Sequence, residues 1–156
     1  TIEAFRTWLA QTGAWEGLLP HVPTLLELES VQAFAISRRR IGLFVGARVL
    51  VFVDASGRMS VPMPVEVGEN LCRLGSLAPH PDHANNGWYR FVLGSNGDEG
   101  TAAWLIGLTH LLYALSQRGA SDPITQREMD TYSQGPRCVA ALTAAAARWD
   151  ASPICA

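Results

Sequence analysis

From Ala102 to Leu115 the chain is almost unbrokenly apolar, interrupted only by Gly107, Thr109 and His110. A membrane-spanning helix needs about 20 apolar residues, so this shorter run predicts a buried helix. Ala102, Leu105, Ile106, Thr109, Leu112, Tyr113 and Ser116 fall on one stripe at helical spacing, and Trp104, Leu108, Leu111 and Leu115 on a second. A helix that is apolar on nearly every side must be enclosed by other layers. Asp98 reads as its cap, Glu99 favours its positive first turn, and Gly119 ends it. The reading is a helix over 98–118 lying across a sheet.

Upstream residues supply that sheet. Val31, Ala33 and Ala35 alternate with Gln32, Phe34 and Ile36 before Arg38-Arg39-Arg40 interrupts. Ile41–Val45 and Val49–Val53 are β-branched and apolar at successive positions, which predicts central strands covered on both faces. Gly46-Ala47 either turns one into the other or lies within a bent strand. Asp54-Ala55-Ser56-Gly57 is the clearest turn, because glycine takes positive φ at no steric cost. Arg58–Met63 alternates like a strand with one wet face, and Pro62 places it at an edge or an end. Trp88–Leu93 reads as a further strand.

The flanks read as helical. Ile2, Phe5 and Leu9 give the first helix an apolar face, with Thr1 as cap and Gly13 as stop. Trp15–Pro23 carries Gly17, Pro20 and Pro23 and reads as a connection, and Val65–Leu77 as a short helix closing at Gly75. Asp122-Pro123 caps another helix, and Pro136 opens a last one with Cys138, Ala141, Leu142, Ala145 and Trp149 on its apolar face. The expected architecture is α+β: an antiparallel sheet of four to five strands against a long hydrophobic helix, with N- and C-terminal helices. It forms a single domain over 1–156, with a core over 1–119 and a helical extension over 120–156. That extension either packs on the domain or docks on a partner.

Composition narrows the chemistry. Of 156 residues, 17% are charged, and 12 basic against 14 acidic residues leave a net charge of −2. That balance gives no field for nucleic acid. Every basic residue is arginine, which removes Schiff-base lysines and phosphate-loop lysines. Cys72, Cys138 and Cys155 are too widely spaced for a disulfide framework or a paired-cysteine zinc site. Thr1–Arg6 lacks the pattern of a signal peptide. A soluble cytoplasmic protein without membrane partners is expected.

Titratable groups crowd together in one place, His80-Pro81-Asp82-His83. His80, Asp82 and His83 are the residue types for a metal site or for acid–base work near neutral pH. Pro81 argues against a helix that would align the two rings, and a loop histidine that caps a strand or sits in solvent is the plainer reading. His110, inside the apolar helix, reads as a core residue satisfied by a hydrogen bond. His21 carries no pattern. Arg38-Arg39-Arg40 has the donors to grip an anion but reads first as a solvated charge run. Trp88, Tyr89 and Trp104 are candidate aromatic walls for a small-molecule ligand. Nucleophile-elbow, dinucleotide and phosphate-loop motifs are absent, and no cofactor is expected.

One stretch has a familiar order. The Asp54-x-x-Gly57 turn leads to a strand ending Met63-Pro64, a short helix, Ala78-Pro79-His80-Pro81 and a Gly87-Trp88 strand; a helix with Trp104-Leu105 and Leu112-Tyr113 follows. Over about residues 31–115 this resembles the small α+β "luciferase domain" family of largely uncharacterised proteins. The resemblance implies the α+β fold. Many members carry histidines on the strand before the turn and again just after it, where this chain has Val51, Val53 and Val61. Only His80 matches, so the resemblance implies no shared metal or catalytic site here, and no light emission.

The leading functional expectation is a non-catalytic binding or protein-interaction module, working through a sheet edge or the helical extension on a partner protein or a second copy of itself. The alternatives are a small enzyme using His80, Asp82 and His83, and a small-molecule binder with Trp88, Tyr89 and Trp104 around a pocket between sheet and helices.

Overall fold

A computed structural model describes residues 2–26, 28, 30–81, 87–119, 121–132, 136–147 and 149. Helix α1 (Ile2–Thr12), a 3₁₀ segment (Glu16–His21) and α2 (Val22–Leu26) lead into four strands: β1 (Val31–Ser37), β2 (Arg40–Val45), β3 (Arg48–Asp54) and β4 (Arg58–Pro62). Then follow α3 (Val65–Arg73), β5 (Ala78–Pro79), β6 (Trp88–Val92), α4 (Glu99–Arg118), α5 (Pro123–Tyr132) and α6 (Pro136–Ala147).

The strands form one antiparallel sheet in the order β1-β2-β3-β4-β6-β5, six strands rather than four or five. The additional one is β5. Two residues are too short for alternation to show, and Pro79 cannot donate to a ladder, which suits an edge. Gly46-Ala47 is a tight hairpin turn, since Val45 pairs with Arg48. At the next turn the Asp54 carboxylate accepts from the backbone N–H groups of Ser56 and Arg58, at 2.9 and 3.2 Å. Gly57 there has φ +88, which a side chain would strain.

Among the described residues, helices cover one face of the sheet only. Ala33, Ile41, Leu43, Val51, Val53, Met59, Val61 and Phe91 point into the main core with Phe5, Trp8 and Leu9 of α1 and the apolar stripes of α4. Trp15 is fully buried there and its indole donates to the Asp54 carbonyl at 2.6 Å. Helix α4 runs as its sequence predicts: the Asp98 side chain accepts from Thr101 N–H at 3.0 Å, and Gly119 caps the far end. Hydrogen bonds, first that from the Thr101 N–H, hold the exposed Asp98 carboxyl below its usual range, with some loss of solvation opposing them. The two stripes of α4 need two covers. The sheet provides one, and α5 and α6 pack on α4 from the other side through Met129, Leu142 and Ala146. Trp149 stacks on Tyr113 with centroids 4.8 Å apart. Of the two expectations for the extension, its described part therefore realises packing on the domain. Among the described residues, no helix is long and apolar enough to cross a membrane.

Candidate interaction surface

His80 follows β5, and its N–H donates to the Trp88 carbonyl at 3.4 Å, capping the short strand. Its side chain is only 6% exposed, so it does not sit in solvent at the sheet margin. Asp82 and His83 lie outside the described residues. Among the described residues, no three His, Cys, Asp or Glu side chains are grouped to hold a metal. His110 is buried in α4, and the ring of His21 approaches Gly100 at that helix's N-terminus. Cys72 packs half-buried on α3; burial, then the nearby Glu69, pushes its thiol up, so it stays protonated and weakly nucleophilic near neutral pH.

The three aromatic candidates are not brought together. Trp88 and Tyr89 are consecutive on β6 and must face opposite ways. Tyr89 turns inward, lies over Gly68 of α3 and donates to the Val65 carbonyl at 3.4 Å. Burial, then Cys72, Glu69 and Glu66, pushes its phenol up. Trp88 turns to the outer face, and Trp104 is on α4, 37% exposed. A cavity does occur elsewhere, between the β2–β3 hairpin and the end of α4. Val45, Arg48, His110, Tyr113 and Arg118 are among its lining residues, and it measures about 80 Å³. Metabolite-sized sites run to about 300–1,000 Å³.

The outer face of the sheet carries the feature that sequence reading missed. Phe52 stacks on Trp88 with centroids 5.9 Å apart and planes at 19°. Phe44 meets Phe52 edge-on at 6.2 Å, and Phe34 meets Phe44 edge-on at 5.6 Å. These rings come from β6, β3, β2 and the edge strand β1, the first two meeting across the intervening β4. Trp88, Phe52 and Val49, with Phe44 packed against them, form a cluster separate from the main core, to which no described helix residue contributes. Gly42 makes room for the row, since a Cβ there would meet the Phe44 ring at 2.6 Å. The Arg40 guanidinium lies 4.1 Å from the Phe52 centroid, a cation–π contact that holds positive charge beside the rings.

Burial falls steadily along the row. Trp88 is 2% exposed and Phe52 7%, whereas Phe34 is 52% and its β1 neighbour Ile36 is 51% exposed. The row thus opens onto solvent at β1, outside which no further described strand is paired. Arg38 and Arg39, both exposed, form the adjoining β1–β2 turn. Two protruding apolar side chains on the last described strand, beside an arginine turn, can take an extended apolar segment with acidic flanks. The sequence signal for this was the alternation of Gln32, Phe34 and Ile36 just before Arg38. No family model matches the chain, and no curated protein or solved structure is detectably similar to it.

Proposed function

We propose that this chain is a non-catalytic protein-interaction module whose contact surface is the β1 edge and the aromatic row behind it. The observation that carries this reading is the exposure of Phe34 and Ile36 at the open end of an otherwise buried ring row. Large apolar side chains grouped on the last described strand of a sheet are costly to leave in water, and a partner segment laid against them relieves that exposure. Charge selects the partner's chemistry. Arg38 and Arg39, exposed beside the apolar pair, favour a segment with carboxylates at one end.

Selection of a random peptide library on the immobilised full chain tests the reading. Enriched peptides should alternate apolar residues and carry Asp or Glu at one end. Phe34→Ser/Ile36→Ser should weaken their binding by at least about tenfold, or about 1.4 kcal/mol, with the far-UV CD spectrum and melting temperature unchanged. Peptides held equally by the variant, or mapping by chemical shift to the cavity at Arg48 and Arg118, would overturn it.

A further inference from the structure

Away from the β1 edge, we infer that the cavity between the β2–β3 hairpin and the end of α4 binds a small carboxylate, acetate or propionate in size, with its carboxyl group on Arg48. The cavity measures about 80 Å³. That is about half of the roughly 150 Å³ that houses a benzene ring in an apolar protein cavity, so the occupant has about three to five heavy atoms. Val45, Tyr113 and Ala114 give it apolar walls, the last two only 6% and 7% exposed. Arg48, half-buried, brings a guanidinium to the same space.

Arg48 calls for an anion. Its guanidinium lies 5.9 Å from the Tyr113 ring centroid, at the limit of a cation–π contact, and it makes no ion pair among the described residues. No Asp or Glu is among the described residues that line the cavity. His110 and Arg118 line it too but have interactions of their own, so the ligand's charge falls to Arg48. A planar guanidinium offers parallel N–H donors that match one carboxylate, and the amide of the exposed Gln117, also on the lining, can donate as well. The walls choose the rest of the ligand. An inorganic oxyanion would set charge against apolar surface, which is costly unless each oxygen finds a donor. A short carboxylate instead presents oxygen to Arg48 and carbon to Val45 and Ala114. The site is formed in advance, because the Tyr113 hydroxyl donates to the Val49 carbonyl and pins the hairpin to α4. A pre-formed site loses little to ordering when a ligand enters. It shares no residue with the Phe34 and Ile36 surface, so neither reading depends on the other.

Amide chemical-shift titration of the full chain with sodium acetate and sodium propionate, against sodium chloride at matched ionic strength, tests the site. Shifts should saturate at residues 45–48 and 110–118 with a dissociation constant of about millimolar order. Arg48→Gln should weaken binding by at least about tenfold. Ala114→Leu keeps the guanidinium but fills the space, and should weaken it as much. Acetamide, of the same size without the charge, should leave the shifts unmoved. Melting temperatures check the folds, and Arg48→Gln, on the hairpin and outside the main core, decides the matter where the Ala114 variant is unstable. Shifts that never saturate, that chloride or inorganic phosphate reproduces, or that persist undiminished in Arg48→Gln overturn the assignment.

Discussion

Gly68→Ala should lower the stability of this protein by about 1–3 kcal/mol, a fall of several degrees in melting temperature for a domain of this size. A Cβ at Gly68 would lie 2.1 Å from both Cε2 and Cζ of Tyr89, far inside van der Waals contact. The ring cannot easily withdraw. Tyr89 is 4% exposed and is fixed on β6 opposite Val61 on one side and Pro79 on the other. Helix α3 must therefore lift away from the sheet, parting Leu71 from the core that it joins. Alanine raises helix propensity, which alone would be stabilising, so the sign of the change separates packing from propensity. Thermal denaturation of Gly68→Ala in wild-type and Tyr89→Leu backgrounds makes the test a double-mutant cycle. The penalty should shrink markedly where the ring is gone, and an equal penalty in both backgrounds would show that the ring is not its cause.

The second large effect is alkaline. Burial pushes the Tyr113 phenol up to about 12, with the Arg48 guanidinium 5.9 Å from the ring centroid opposing the shift. Its hydroxyl donates to the Val49 carbonyl, tying α4 to β3. An unfolded tyrosine titrates near about 10, so the folded state holds this proton more tightly. The resulting contribution is fully present below about pH 10 and is lost as pH rises toward about 12, in total about 3 kcal/mol. Tyr89, raised in the same direction, adds to the slope. Urea denaturation at a series of pH values should show stability falling through this window. Tyr113→Phe should flatten the fall, while costing about 1–3 kcal/mol at neutral pH because the buried carbonyl loses its donor. A wild type and variant with the same slope would mean that Tyr113 is not the group responsible.

Both effects sit in parts of the fold that the residues announce unevenly. Helix α4 was legible because its caps, Asp98 and Gly119, and its two apolar stripes all agree. The Asp54–Gly57 turn was legible for the same reason, since a side-chain acceptor and a positive-φ glycine coincide there. The connection over Trp15–Pro23 contains a 3₁₀ segment and the start of α2, because Pro23 stands in a first helical turn, where a missing N–H costs nothing. Prolines that look like breakers are tolerated at such positions. The buried runs on β2 and β3 were readable as covered on both faces, but not what covers them. On one side it is helices, on the other the sheet's own rings.

The ring row was hidden for a different reason. Which residues stand side by side across strands depends on register, and the β2–β3 register shifts between Leu43 and Phe44. Leu43 pairs with Val51 and Phe44 with Val49, so β3 holds one extra residue, Leu50, at this bulge. The shift puts Val49 rather than Leu50 opposite Phe44, and the pairing of Gly42 with both Phe34 and Phe52 sets the three rings beside one another; alternation within a single strand reveals neither. The opposite facing of Trp88 and Tyr89, by contrast, follows from strand period alone.

Amide hydrogen exchange of residues 31–37, followed by mass spectrometry as a selected acidic-flanked peptide is titrated in, measures the role of the β1 edge most directly. If this edge is the contact surface, protection should rise there with peptide, and Phe34→Ser/Ile36→Ser should abolish the rise while leaving α4 protected throughout. Exchange at β1 that is indifferent to peptide, with new protection appearing instead around the cavity at Arg48 and Arg118, would contradict it.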